Sequence, residues 1–202
     1  MTPQEPISEA EKRQVFFRAA EPLFTRFGFR KTTVDEICHD AGYSRGTFYD
    51  LFDNKQDMMI SLVIEKATAA FEAWRREDDP SQPFLTRLRS MIEHIGAMVL
   101  ENPLIIEARK VQELFEVHGQ ASARHRDNPM LLYLHAMIAE GVERGELRPV
   151  DPERMTMLLF IVIDNLFFQT RELYHMPSGL EDEAFGEEAW RFIERGLKGI
   201  ER

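Results

Sequence analysis

The chain has 202 residues, of which 44% are hydrophobic and 30% charged, proportions that exclude a disordered or fibrous protein. Its length suffices for one large domain or two small ones, its net charge of −10 argues against a passive nucleic-acid coat, and its single cysteine, Cys38, excludes an intramolecular disulfide framework. The most apolar run, residues 155–168, is too short and too polar to span a membrane. We therefore expect a cytoplasmic protein without a secretory signal.

The first four predicted elements are helices with recognisable caps. Ser8 and Glu11 form a capping box, and Gly28 can stop the helix that this box opens. Thr33 and Glu36 form a second capping box before a short helix that ends at Gly42. A third helix can begin after Ser44. Asn54 can cap a fourth, predicted over about 54–76.

Polar residues 77–83 contain two prolines and predict a loop. Later helices can begin at three pairs in which a capping residue precedes proline, namely Asn102-Pro103, Asn128-Pro129 and Asp151-Pro152. Gly119 and Gly145 are plausible stops, which gives helices over about 84–100, 103–118, 128–144, 152–175 and 181–198. Because no window shows sustained two-residue alternation, the predicted fold is all-α with about nine helices.

Residues 33–50 read as two short helices joined by a tight turn at residues 41–44. The second of these helices presents Arg45, Thr47 and Tyr49 outward, side chains that can contact a guanine edge, a thymine methyl group or phosphates. Residues 10–55 hold eight basic and seven acidic residues, whereas residues 56–202 hold 17 basic and 26 acidic ones. This segment is therefore the part of the chain best suited to an anionic partner.

A longer motif surrounds this helix pair, comprising Gly28-Phe29, Thr32 to Ile37, Ala41 to Tyr49, Phe52 and Lys55. It resembles the signature of TetR-family transcriptional regulators. The resemblance implies a helix-turn-helix DNA-binding domain over residues 8–54 and an effector-binding and dimerisation domain over 55–202, connected by the helix at 54–76. It also implies contacts with DNA bases or phosphates by Thr33, Ser44, Arg45, Gly46, Thr47, Tyr49 and Lys55.

The sequence departs from this family pattern at one place. Two residues after Tyr49 the family often has His or Tyr, which contacts the DNA backbone, but this chain has Leu51 beside the acidic Asp50. We therefore expect one phosphate contact fewer, and the effect of Leu51 and Asp50 on affinity stays open.

The resemblance also implies a homodimer formed by the last two helices. The run from Met155 to Phe168 is apolar nearly all round, so a partner subunit is a natural cover for one face. The candidate interface residues are Leu159, Ile163, Phe167, Trp190 and Ile193. A pocket for a small, mostly apolar effector is expected among the helices of 84–175, with Met91, His94, Met98, Phe115 and His118 as candidate lining.

Other chemistries are less well supported. Gly42 to Gly46 match the nucleophile elbow G-x-S-x-G, but a helix rather than a strand precedes the motif. The six histidines lack the spacing of a metal site. We predict no enzyme, no catalytic residue, no metal and no cofactor. The predicted function is a DNA-binding transcriptional regulator, and the alternative is a helical small-molecule-binding or adaptor protein without DNA binding.

Overall fold

The computed structural model describes residues 7–109, 111, 128–169 and 177–198. These residues form nine α-helices and one π-helical segment, and none of them lies in a strand. The helices are α1 (Glu9–Phe27), α2 (Val34–Ala41), α3 (Arg45–Leu51), α4 (Lys55–Glu77), α5 (Phe84–Glu101), α6 (Pro103–Arg109), α7 (Pro129–Glu143), α8 (Pro152–Ile163) and α9 (Glu183–Lys198). The all-α prediction is confirmed. Of the helices described, none has the length and apolar character needed to cross a membrane.

The helix starts follow the predicted caps. Both capping boxes form, at Ser8 with Glu11 and at Thr33 with Glu36. The Ser44 hydroxyl accepts from the N–H of Thr47 at the start of α3. The side chains of the other predicted caps also accept backbone N–H groups, at Asn54, Asn102, Asn128 and Asp151. Because these bonds satisfy orphan donors, residues with weak intrinsic helix preference specify where each helix begins.

Two predicted helices differ from the structure. Of the helix expected over 103–118, the structure has α6 at Pro103–Arg109, and Val111 lies outside it with its side chain buried in the core of the N-terminal unit. Residues 110 and 112–118 lie outside the described residues. The helix expected over 152–175 changes to a π-helix at Asp164–Gln169. There the side-chain amide of Asn165 donates to the Ile161 carbonyl at 2.8 Å, and the N–H of Asp164 bonds to the same carbonyl. Gly119 and residues 170–175 lie outside the described residues.

The chain forms two compact units. The first comprises the described parts of residues 1–66 and 102–120, and the second those of 67–101 and 121–202. This division differs from the expected boundary between residues 54 and 55. The first half of α4 belongs to the N-terminal unit because Met58, Met59 and Leu62 are buried in its core. Leu104 of α6 lies in the same core, so α6 also belongs to this unit.

Aromatic rings connect α1 with α3 and with the turn that precedes α3. The Phe16 ring of α1 contacts Tyr43 in the turn at a centroid distance of 5.5 Å, Phe48 of α3 at 5.6 Å and Phe52 at 6.0 Å. Phe16 and Phe48 are fully buried, and they meet edge to face, a favoured arrangement for such pairs. These ring contacts link α3 to α1 and to the turn before it.

A buried polar network in the second unit connects Asp78, the residue after α4, with α5 and α7. The guanidinium of Arg87 donates to both carboxylate oxygens of Asp78 and to Oε2 of Glu140, and the Arg87 and Asp78 side chains are only 5% and 3% exposed. The Tyr133 hydroxyl donates to Asp78 at 2.7 Å. Burial opposes ionisation of Asp78, but the hydrogen bonds from Arg87 and Tyr133 outweigh it and lower the pKa of this carboxyl group.

Removing the charge of Asp78 is expected to destabilise the second unit. Asp78→Asn leaves the buried guanidinium of Arg87 poorly compensated, and breaking such a pair costs about 3–5 kcal/mol. Because the folded-state pKa of Asp78 is lowered, its contribution is present above the unfolded pKa of about 3.9 and is lost as the pH falls through the folded value. Urea unfolding at pH 7 and under acidic conditions measures both effects.

The matched control for this variant is Glu77→Gln, which removes an exposed carboxylate one residue earlier. We expect this control to change the free energy of unfolding little. An Asp78→Asn variant as stable as the control would contradict the structural role of the network.

Candidate nucleic-acid interface

Helices α2 and α3 form a helix-turn-helix pair whose turn depends on one glycine. Gly42 ends α2 with φ 72° and ψ 24°, in the left-handed region, and its N–H bonds to the carbonyls of Cys38 and His39. The next residue, Tyr43, donates its N–H to the Cys38 carbonyl at 3.1 Å. Any residue with a Cβ would be strained at Gly42, although no atom lies within 4 Å of the Cβ it would add. The turn directs the chain from α2 into α3.

The exposed side of α3 carries Arg45 and Tyr49, one helical turn apart. The Tyr49 ring packs edge to face against Phe48 at 5.3 Å, which leaves its hydroxyl at the surface. The guanidinium of Arg45 lies 5.9 Å above the Tyr49 ring, and Nη2 of Arg45 is 3.5 Å from the Tyr49 hydroxyl. The two side chains therefore form one exposed surface that can offer donors to bases and phosphates.

Arg45 also contacts a residue that was not among the predicted site residues. Its Nη1 atom donates to both oxygens of Asp35 on α2, at 2.8 and 3.0 Å. These hydrogen bonds, together with the Asp35 charge, raise the pKa of the Arg45 guanidinium further, so Arg45 stays protonated. The ten-residue separation across a turn matches no helical spacing, which is why sequence reasoning missed Asp35.

Ser44, Gly46 and Thr47 form the first turn of α3. The Ser44 and Thr47 hydroxyl oxygens lie 3.1 Å apart, and Thr47 is half-buried whereas Ser44 and Gly46 are exposed. A Cβ added at Gly46 would meet only the Ser44 hydroxyl, at 3.5 Å, so glycine is not required there by packing within the chain. The open surface at Gly46 permits close approach of another molecule.

Two predicted DNA-contact residues make bonds inside the N-terminal unit. The Thr33 hydroxyl donates to Glu36 at 2.8 Å, and the backbone and hydroxyl donors of Thr33 lower the pKa of the Glu36 carboxyl group. The ammonium of Lys55 donates to the carbonyls of Phe29 and Thr32 at 2.7 and 2.6 Å, and it lies 4.4 Å above the Phe29 ring. Both residues therefore stabilise the segment that precedes α2, whatever contact they make with DNA.

Leu51 and Asp50, where the sequence departs from the family pattern, differ in their burial. Leu51 is partly buried against the core, and its carbonyl accepts from Arg13, whose guanidinium lies 4.4 Å above the Phe52 ring. Asp50 is exposed. Leu51 therefore secures the end of α3 within the fold and presents no polar group from its side chain.

Of the candidate pocket residues, Met91, His94 and Met98 lie on α5, where Met91 is buried and the other two are half-buried. Phe115 and His118 lie outside the described residues. The candidate interface residues Leu159, Ile163, Phe167 and Ile193 are buried within the single chain, and Trp190 is half-buried beneath the Arg89 guanidinium at 5.7 Å. The exposed apolar side chains nearby are Met157, Leu158, Ile161 and Phe192.

The alternative chemistries find no support in the described residues. Ser44 follows a helix and a turn, and its hydroxyl is engaged in capping α3, so residues 42–46 do not form a nucleophile elbow. No three His, Cys, Asp or Glu residues in the described ranges come together as a metal site.

An all-α chain with a helix-turn-helix pair and exposed Arg and Tyr on its second helix has the architecture of a DNA-binding transcriptional regulator. Residues 16–62 match the family model described as bacterial regulatory proteins, tetR family. This N-terminal segment therefore carries the helix-turn-helix domain of the TetR family. The predicted TetR resemblance and helix-turn-helix class are confirmed.

Similar proteins are found over most of the chain. An uncharacterised HTH-type transcriptional regulator of Bacillus subtilis, YhgD, is 25% identical, with 93% of this chain and 97% of that protein covered. The HTH-type transcriptional repressor KstR2 of Mycolicibacterium smegmatis is 24% identical, with 74% of each chain covered. The structure of the transcriptional regulator FadR from Bacillus subtilis in complex with stearoyl-CoA is similar to this structure, with a TM-score of 0.61 and 21% sequence identity. The similarity covers 91% of this chain and 98% of the FadR chain. These similar proteins are regulators, not enzymes.

Proposed function

We propose that the protein is a homodimeric repressor that binds a palindromic operator and is released by a small, mostly apolar ligand. The observation that carries this proposal is the exposed surface of Arg45 and Tyr49 on α3, held over a rigid aromatic core. One relative, KstR2, is a transcriptional repressor. Such a protein acts on chromosomal DNA, so the cytoplasm is the compartment we propose.

In this proposal Arg45 reads a base and Tyr49 donates its hydroxyl to a phosphate. Arg is suited to guanine because two of its N–H groups can bond O6 and N7 together. Ser44, Gly46 and Thr47 would lie against the DNA backbone or bases at the start of α3. Thr33 and Lys55 would contact phosphate only through donors beyond those used inside the N-terminal unit.

The proposed dimer interface is the apolar face of α8 and α9 that the chain leaves exposed. Leu158, Ile161 and Phe192 are 54%, 53% and 66% exposed. Large exposed apolar side chains on these two helices favour burial against a second subunit. The interface that we propose is one helical step from the candidates Leu159, Ile163 and Ile193, which are buried within the single chain. A two-fold axis between subunits would match a palindromic DNA site.

We propose a mostly apolar effector because the chain is rich in methionine and phenylalanine, whose side chains suit an apolar pocket. The chain contains 10 Met and 15 Phe residues, and Met91 and Met98 lie on α5 beside the polar His94. A structural neighbour holds stearoyl-CoA, a long apolar chain with a polar end. The continuous helix α4 begins next to the helix-turn-helix pair and ends in the second unit, so it can carry a displacement to α3.

The alternative, an adaptor that does not bind DNA, has one argument in its favour. Asp35 and Asp50 place two exposed carboxylates beside the proposed DNA-binding surface, and carboxylates repel phosphate. Binding to duplex DNA, and its dependence on salt concentration, distinguishes the two functions.

For the DNA-binding function, we expect Tyr49→Phe to weaken binding to all duplexes about equally, by roughly 1 kcal/mol, because it removes one phosphate donor. Arg45→Ala should cost about 1–3 kcal/mol and relax base preference at one position in each half-site. Fluorescence anisotropy with duplexes at several salt concentrations measures both. Should both variants bind as tightly as the parent, the assignment of α3 as the recognition helix is wrong.

For the dimer, Phe192→Asp is expected to yield monomers and to weaken operator binding, because a buried unpaired carboxylate opposes association. The control is Leu132→Asp, which introduces the same charge at an exposed leucine of α7, 57% exposed. Sedimentation equilibrium at micromolar concentration gives the masses. A monomeric parent would refute the dimer, and dissociation caused only by the control would move the interface to α7.

For the effector, stearoyl-CoA is expected to bind about 5–150-fold more weakly when the protein is saturated with operator DNA, because coupling between two sites is reciprocal. Titration calorimetry with and without the operator measures this ratio, and coenzyme A without the acyl chain is the control ligand. Equal affinities in the two titrations would show that stearoyl-CoA is not an effector.

A further inference from the structure

The pair formed by Asp35 and Arg45 is unusual because it places an acidic side chain against the candidate base-reading residue. Both side chains are open to solvent, at 66% and 59% exposure. An ion pair with this exposure contributes little to folding stability. A carboxylate at a DNA-facing surface also lowers affinity for every duplex, because it repels the phosphates. Neither folding stability nor affinity for DNA therefore explains why Asp35 stands beside Arg45.

The geometry of the pair leaves Arg45 able to read a base. Only Nη1 of Arg45 donates to Asp35, at 2.8 and 3.0 Å from the two carboxylate oxygens. In the described part of the chain, the edge formed by Nε and Nη2 makes one long contact, 3.5 Å from Nη2 to the Tyr49 hydroxyl. That edge offers two parallel N–H donors, the arrangement that matches O6 and N7 of guanine.

The pair also restricts the position of the guanidinium. An exposed arginine has several rotatable bonds and loses rotamer freedom when it docks on a base. Here Asp35 holds one nitrogen from α2, while the Tyr49 ring lies 5.9 Å beneath the guanidinium on α3. Because α2 and α3 are packed on the same aromatic core, both supports are fixed relative to the recognition helix. The Arg45 side chain is therefore already ordered in the free protein, and it loses less conformational entropy when it binds guanine.

We propose that Asp35 is a specificity-determining residue that acts through Arg45 by holding its free Nε and Nη2 edge in position for guanine. This inference rests on the proposed role of Arg45 as the base-reading residue. The repulsion between Asp35 and phosphate weakens binding to all sequences, whereas the positioning of Arg45 helps only sites that carry guanine. The pair thus raises discrimination between sequences at the expense of general affinity.

The test uses the full-length protein and a pool of duplexes with a randomised core. Selection and sequencing are performed for the parent, Asp35→Asn, Arg45→Ala and the double variant. Affinities are then measured for the selected duplex and for one with the guanine replaced. We expect the parent to prefer guanine by about tenfold or more, as a bidentate pair does. Asp35→Asn should reduce this preference at least about threefold while its binding to non-selected duplex is equal or tighter.

The double variant shows whether Asp35 acts through Arg45. In the Arg45→Ala background, the Asp35→Asn change should no longer alter base preference, because the side chain that it positions is gone. The matched control is Asp40→Asn, which removes an exposed carboxylate from the end of α2. It should leave the guanine preference of the parent intact. Thermal unfolding of each variant separates loss of discrimination from loss of the fold.

Several outcomes would overturn the inference. Asp35→Asn with the guanine preference of the parent would refute positioning. An effect of Asp35→Asn that persists in the Arg45→Ala background would show a direct contact of Asp35 with a base. A parent that enriches no motif and shows no salt-dependent retention on duplex DNA would refute the proposed function along with the inference, whereas the first two outcomes leave that function standing.

Discussion

The packing of one ring, Phe16, underlies the geometry of the proposed DNA-binding surface. This side chain of α1 meets Tyr43, Phe48 and Phe52, which come from the turn, α3 and the residue after α3. Ring contacts of this kind are directional, so they define an orientation of α3 and not merely its burial. The left-handed turn at Gly42 lets the chain reach that orientation, and the surface of Arg45 and Tyr49 follows from it. Loss of this aromatic packing would displace the proposed DNA-contacting residues on α3.

Much of the fold could be predicted from the sequence because the helix starts are marked by local chemistry. Thr33 with Glu36, and Ser44 before α3, act through bonds to backbone groups two or three residues away. Such signals depend on near neighbours in the chain and need no tertiary structure. The same reasoning did not give two details. Val111 lies outside α6 and is buried in the core of the N-terminal unit, a contact that depends on the tertiary structure. The change to a π-helix at Asp164–Gln169 is local, and no cap or breaker residue marks it.

The candidate site shows the same division between local and distant information. Arg45 and Tyr49 could be selected because they lie one turn apart on a short helix beside a recognisable turn. Asp35 could not, since its relation to Arg45 exists only after α2 and α3 have packed together. The dimer-interface residues stay a prediction, because periodicity alone cannot assign an interface face. On a helix that is apolar on every side, the hydrophobic pattern does not show which face packs on the core of the same chain. In the structure, that face includes Leu159 and Ile163.

The N-terminal unit is assembled from two separate stretches of the chain, which determines how it can be exchanged between proteins. Leu104 and Ala108 of α6 are buried in its core, and Glu107 accepts from the N–H of Phe29 at 3.0 Å, on the loop that Lys55 holds through the Phe29 carbonyl. A fragment that ends within α4 would expose the apolar surface that α6 covers and leave that N–H without its carboxylate acceptor. A chimaeric regulator made by joining this DNA-binding unit to another protein's sensor therefore has to carry α6 along with α1 to α4, so the transferable module is discontinuous in sequence.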